Sequence, residues 1–158
     1  MNTMKQITVL LAEDHAIVRQ GLNALLTADG GFLLVGEARN GREAVALAIK
    51  LKPDVILMDI AMPVMNGLEA TRQVLAANAD AKVVILSAHS DDIYVERMRE
   101  AGVVGFIEKQ TSAEVLTKAI REVARGRIYF SPSITKRLND NPSQPIGRDG
   151  MIKPDGNR

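Results

Sequence analysis

The sequence predicts a doubly wound α/β fold, a five-stranded parallel sheet with helices on both faces. Three observations carry this. Apolar, β-branched-rich runs of strand length occur five times along the chain. They are nearly continuous rather than alternating, as in strands covered on both faces. Between them lie segments with apolar residues at helical spacing, so strand and helix alternate.

The elements follow in order. ITVLLA (7–12) reads as the first strand, and Val18, Leu22, Leu25 and Leu26 then share one helical face. FLLVGEA (32–38) is the second strand. Asn40 caps a helix opening with Gly41-Arg42-Glu43, whose inner face is Ala44, Leu47, Ala48 and Leu51 and which ends at Lys52-Pro53. VILM (55–58) and VVIL (83–86) are the third and fourth strands. A helix over about 90–101 has a poor stripe (Ile93, Val95, Met98, Ala101), which marks it as mobile or interface-forming. VVGFI (103–107) is the fifth strand. Thr111-Ser112-Ala113-Glu114 has the form of a capping box; Leu116, Ala119, Ile120 and Val123 form the inner face behind it, and Gly126 ends the helix. From Asn139 onward the chain is rich in Pro, Gly, Asn and Asp and lacks periodicity. The expected division is a folded domain over 5–130 and a linker or disordered tail over 131–158.

Bulk composition narrows the function classes. A chain of 158 residues, 46% hydrophobic and 25% charged, suits one soluble domain with a tail. With only 3% aromatics, the core rests on aliphatic residues and Met. A formal charge of +1 provides no field for holding nucleic acid or an anionic membrane. The absence of Cys excludes disulfides and thiolate chemistry. The N-terminus lacks a signal-peptide pattern, and no apolar run has the length of a membrane span, so a cytoplasmic location is expected.

In sheets of this kind, sites form outside the carboxyl ends of the strands. Those ends carry Glu13-Asp14, Asp59, Ser87 and Lys109. Singly, each has a plain reading. Asp14 would cap a helix starting near Ala16, Asp59 would open a turn, and the others would be loop or surface residues. Together they form a site. Clustered carboxylates raise one another's pKa, and a divalent cation relieves the repulsion. Oxygen-only ligands point to Mg²⁺. A carboxylate beside a metal and a Lys is equipped to attack phosphorus and become an acyl phosphate.

The segments LLAEDHAIVRQGL (10–22), PDVILMDIAMPVMNGLEA (53–70), VVILSAH (83–89) and GVVGFIEK (102–109) resemble the response-regulator receiver domain of two-component signalling. The likeness is to the subfamily of LuxR/NarL/FixJ-type transcription regulators. It implies a flavodoxin-like sheet of order 2-1-3-4-5 and Asp59 as phosphoacceptor. It also implies a metal site of Glu13, Asp14, Asp59 and the Ala61 carbonyl, with Lys109 and Ser87 binding the phosphoryl group. Phe106 falls where the family has a switch aromatic, expected to turn inward on phosphorylation and remodel the surface of the fourth helix and fifth strand. His89 falls where side chains affect acyl-phosphate hydrolysis, and His15 is read as local packing rather than as a ligand. The implied partners are a sensor histidine kinase or histidine phosphotransfer protein, and a second copy in a phosphorylation-dependent homodimer. DNA is reached only through an output domain, and no helix-turn-helix follows GRIYFSPSI (126–134).

Three other readings compete with this one. A stand-alone receiver would act through protein–protein interaction. A phosphatase of the haloacid dehalogenase type would need a second Asp two residues after Asp59, where this chain has Ala61. A flavodoxin would need a phosphate-cradling loop after the first strand, where the Glu13-Asp14 pair would repel the ligand. The expectation is a phosphoacceptor that assists its own phosphorylation and dephosphorylation, and not an independent enzyme.

Overall fold

Alternating apolar runs and helical stripes give strands β1 (Ile7–Ala12), β2 (Phe32–Ala38), β3 (Val55–Asp59), β4 (Val83–Ser87) and β5 (Gly105–Glu108). Between and after them lie helices α1 (Ala16–Asp29), α2 (Gly41–Leu51), α3 (Gly67–Ala77), α4 (Val95–Ala101) and α5 (Ala113–Ala124). A short strand β6 (Tyr129–Phe130) and helix α6 (Pro132–Asn139) follow. This computed structural model describes residues 5–88 and 95–139. The sheet is parallel, with order β2-β1-β3-β4-β5-β6.

Side chains alternate across the sheet and fill two cores. Val9, Leu11, Val55, Leu57, Val84, Leu86 and Ile107 face α1 and α5 through Leu22, Leu26, Leu116, Ala119, Ile120 and Val123. Leu10, Ala12, Ile56, Met58, Ile85 and Phe106 face the other way. There they meet Ala44 and Ala48 of α2, Val74 of α3, Met98 of α4 and Ile134 of α6. Both faces of the central strands are apolar for this reason, whereas β2, at the sheet edge, is only half-buried.

The local stop and start signals take physical form. Asn40 accepts from the Glu43 N–H at 2.9 Å, the expected cap. Lys52 ends α2 in the left-handed region (φ 48°) before Pro53, and Gly126 (φ 91°) ends α5. The cap of α5 differs from expectation. Ser112, not Thr111, holds the cap position, accepting from the Val115 N–H at 3.1 Å.

Three expectations need correction. The sheet has six strands, because Tyr129 and Ser131 donate to the Val104 and Phe106 carbonyls, both at 2.9 Å. A strand of two residues has no periodicity to read, so only pairing with β5 defines it. Part of the expected tail, 132–139, is helical. Ser131 Oγ accepts from the Ile134 N–H at 3.4 Å, Pro132 stands at the first helical position, and Ile134 is buried. The inner face of α4 is better than its sequence looked, since Val95 and Met98 are both fully buried. Ile93 and His89 lie outside the described residues.

Candidate functional site

Register brings the rim residues together. Ala12 pairs with Met58, so Glu13 and Asp14 leave β1 beside Asp59. Asp59 pairs with Leu86, one residue before Ser87, and Ser87 pairs with Glu108, one residue before Lys109. The Lys109 N–H donates to the Ser87 carbonyl at 2.9 Å, tying the last two strand ends.

The loop after Asp59 is sharply folded. Met65 N–H donates to the Pro63 carbonyl at 2.7 Å across Val64, whose φ is 70°, a strained γ-turn for a β-branched residue. Gly67 N–H then donates to the Ile60 carbonyl at 2.8 Å. A Cβ on Gly67 would collide with the Asp59 carbonyl, so this crossing requires glycine. The sequence reading missed both residues. Gly67 behind the Asn66 cap was the available signal, whereas Val64 has none, being an ordinary strand residue by type.

At the centre, Lys109 Nζ lies 3.1 Å from Asp59 Oδ2 and 3.3 Å from Glu13 Oε1. Glu13 and Asp59 are fully buried, and Lys109 is mostly so. Burial, and then the neighbouring charge of Glu13, push the Asp59 carboxyl up to about 6, with Lys109 holding back part of the rise. Burial alone would lower the pKa of Lys109. The carboxylates of Asp59 and Glu13 outweigh it and raise that pKa, so Lys109 stays charged. One cation thus serves two buried anions, and negative charge is in excess.

Side-chain atoms of Glu13, Asp14, His15 and Asp59 come within 4.8 Å of one another. Glu13 Oε1, Asp14 Oδ1 and Asp59 Oδ2 are shielded from solvent yet lack a well-aligned hydrogen-bond donor. Nearby Lys109 does not cure this for the first and third. Excess negative charge and unsatisfied hard oxygens fit a small divalent cation.

Asp14 is not the helix cap, since His15 occupies that position without a side-chain cap bond. Nor is His15 packed. It is 64% exposed, with Nδ1 3.0 Å from Glu13 Oε2 and 3.3 Å from Asp14 Oδ1, and its N–H donates to Glu13 Oε2 at 3.0 Å. Ala61 is seen here through its N–H, 3.3 Å from Asp59 Oδ1. Ser87 is buried next to the cluster, with Oγ donating to the Ala88 carbonyl at 2.8 Å. Phe106 is fully buried, in the inward position, in this structure. Phe130, 5.9 Å away between ring centroids, holds it there.

Comparison with known proteins agrees with this geometry. Residues 9–121 match the model of the response regulator receiver domain. The chain is 40% identical over 143 residues to the response regulator GacA of Pseudomonas aeruginosa, covering 90% of this chain and 67% of that protein. It is 38% identical over 133 residues to the transcriptional regulatory protein DegU of Brevibacillus brevis, covering 84% of this chain and 56% of that one. The chain therefore spans between about half and two thirds of these relatives' lengths. A LuxR-family two-component response regulator from Aurantimonas superposes with a TM-score of 0.82 at 29% identity, covering 88% of this chain and 99% of that chain. The receiver domain of the putative regulator NarL from Mycobacterium tuberculosis gives 0.74 at 31% identity, covering 78% and 99%. Among the described residues no helix is long and apolar enough to cross a membrane. With the fold, the acidic rim and the family match in agreement, the chain belongs to the response regulator receiver domain family.

Proposed function

We propose that Asp59 takes a phosphoryl group from the phosphohistidine of a sensor histidine kinase or histidine phosphotransfer protein in the cytoplasm. An Asp59 carboxylate oxygen bonds to phosphorus, the P–N bond breaks, and the departing imidazole takes up a proton. The product is a mixed carboxylic–phosphoric anhydride. The observation that carries this reading is the fully buried Asp59, 3.1 Å from Lys109 and clustered with Glu13 and Asp14.

Lys109 faces the carboxylate that is modified, placed to balance charge on the incoming group. Glu13, Asp14, Asp59 and the Ala61 carbonyl would hold Mg²⁺, which supplies neutralisation of the phosphoryl oxygens when bound. Ser87 Oγ would exchange its Ala88 acceptor for a phosphoryl oxygen. Ala61 offers no acid or base side chain, which disfavours turnover of external phosphoesters. The protein acts as a phosphoacceptor rather than an independent enzyme. Its output is control of transcription through a DNA-binding domain, with homodimerisation on phosphorylation.

The test is intact mass after incubation with Mg²⁺ and a small acyl-phosphate donor. Wild type should gain one phosphoryl group and Asp59→Asn none. Equal gain in both, or none in wild type, would remove Asp59 from this role.

A further inference from the structure

One member of the rim cluster differs in chemistry from the rest. His15 stands at the N-terminal cap of α1, and its side chain is 64% exposed. Its Nδ1 lies 3.0 Å from Glu13 Oε2 and 3.3 Å from Asp14 Oδ1. One donor atom from each of Glu13, Asp14, His15 and Asp59 falls within 4.8 Å of all the others. Metal–ligand bonds of about 2.0–2.1 Å put neighbouring donors on one ion roughly 3.0–3.4 Å apart, the spacing His15 shows to both carboxylates. Spacing is not the only sign of a ligand. Glu13 and Asp59 are fully buried, and Glu13 Oε1 and Asp59 Oδ2 each lack a well-aligned hydrogen-bond donor.

A nitrogen donor changes which cation the cluster suits. Mg²⁺ is bound through oxygen and gains little from an imidazole, whereas nickel, copper and zinc ions favour one. With its proton on Nε2, the ring presents the Nδ1 lone pair. Because it is exposed, it can turn that atom onto an ion without repacking the core. The chain has no Cys and two His, so imidazole ligation can come only from His15 or from His89. We propose that His15 is a fourth side-chain ligand beside Glu13, Asp14 and Asp59. It gives the site a second class of occupant, a divalent transition ion of the nickel-to-zinc type, which competes with Mg²⁺ for the same carboxylates. This inference rests on the reading of the acidic rim as a cation site, and extends it by one ligand and one class of ion.

Calorimetric titration of the full chain with Ni²⁺ and, separately, with Mg²⁺ tests it. His15→Gln should weaken Ni²⁺ binding by about tenfold or more while changing Mg²⁺ binding by less than roughly twofold. Asp59→Asn should weaken both, and His89→Gln neither. Retained Mg²⁺ binding also shows that the His15 variant is folded around its site. Ni²⁺ binding unchanged in His15→Gln, or weakened only in step with Mg²⁺, overturns the proposal and leaves the cation site standing. Tighter binding of both ions would make His15 a counter-ion of the carboxylates and overturns it as well. So does Ni²⁺ binding that depends on His89 or ignores Asp59→Asn. If wild type binds neither ion, the cation-site reading falls together with this one.

Discussion

Burial takes the carboxyl of Asp59 from its ordinary 3.8 to about 6. Between those values the native protein holds a proton that the unfolded chain has released, so stability falls as pH rises through the window. Above it, the ionised group costs the metal-free protein about 3 kcal/mol relative to the neutral one. Asp59→Asn should therefore be the more stable protein near pH 8 in chelator, with the difference shrinking toward about pH 4, as read by urea unfolding. Lys109 works in the opposite direction. Lys109→Gln strands two buried carboxylates and should destabilise by about 3 kcal/mol at neutral pH. Glu13, Asp59 and Lys109 were legible in the sequence because a charge at the end of an apolar run contradicts its surroundings. The contact of His15 with Glu13 was not legible, because it depends on a rotamer over a loop.

At the level of elements, the loop between β3 and α3 stores strain to bring Asp59 to the rim. Val64 is exposed, so Val64→Gly loses no packing and relieves the positive φ; a gain of about 1 kcal/mol is expected in thermal unfolding. Asn66 Oδ1 accepts from the Glu69 N–H at 2.9 Å, and Asn66→Ala should cost about 1 kcal/mol. The five principal strands and the inner faces of α1, α2 and α5 could be read in advance, the strands as continuous apolar runs and the helix faces as stripes long enough to establish a period. Strand β6 is too short for that. Helix α6 carries a signal in Ser131-Pro132, a cap followed by a proline at the first position, which the expected division into domain and tail did not use.

On the scale of the whole molecule, a cation bound only by the native arrangement of Glu13, Asp14 and Asp59 must stabilise the fold by mass action. Mg²⁺ at a hundredfold over its dissociation constant should add about 2.7 kcal/mol, which a melting curve with and without chelator would register as a rise of roughly 5–10 °C. In Asp59→Asn the rise should shrink, because one ligand charge is lost. No change in wild type would exclude these residues as a cation site.

The order of strands and helices, and with it the meeting of five polar residues on one sheet rim, was determined by the sequence alone. Local periodicity defines the elements, and the handedness of parallel crossovers leaves few ways to arrange them. The tertiary structure alone decided that Phe106 lies inward against Phe130, that β6 closes the β5 edge, and that α6 docks through Ile134. Those contacts join segments distant in the chain, and their energy comes from complementary surfaces rather than from any pattern within one segment.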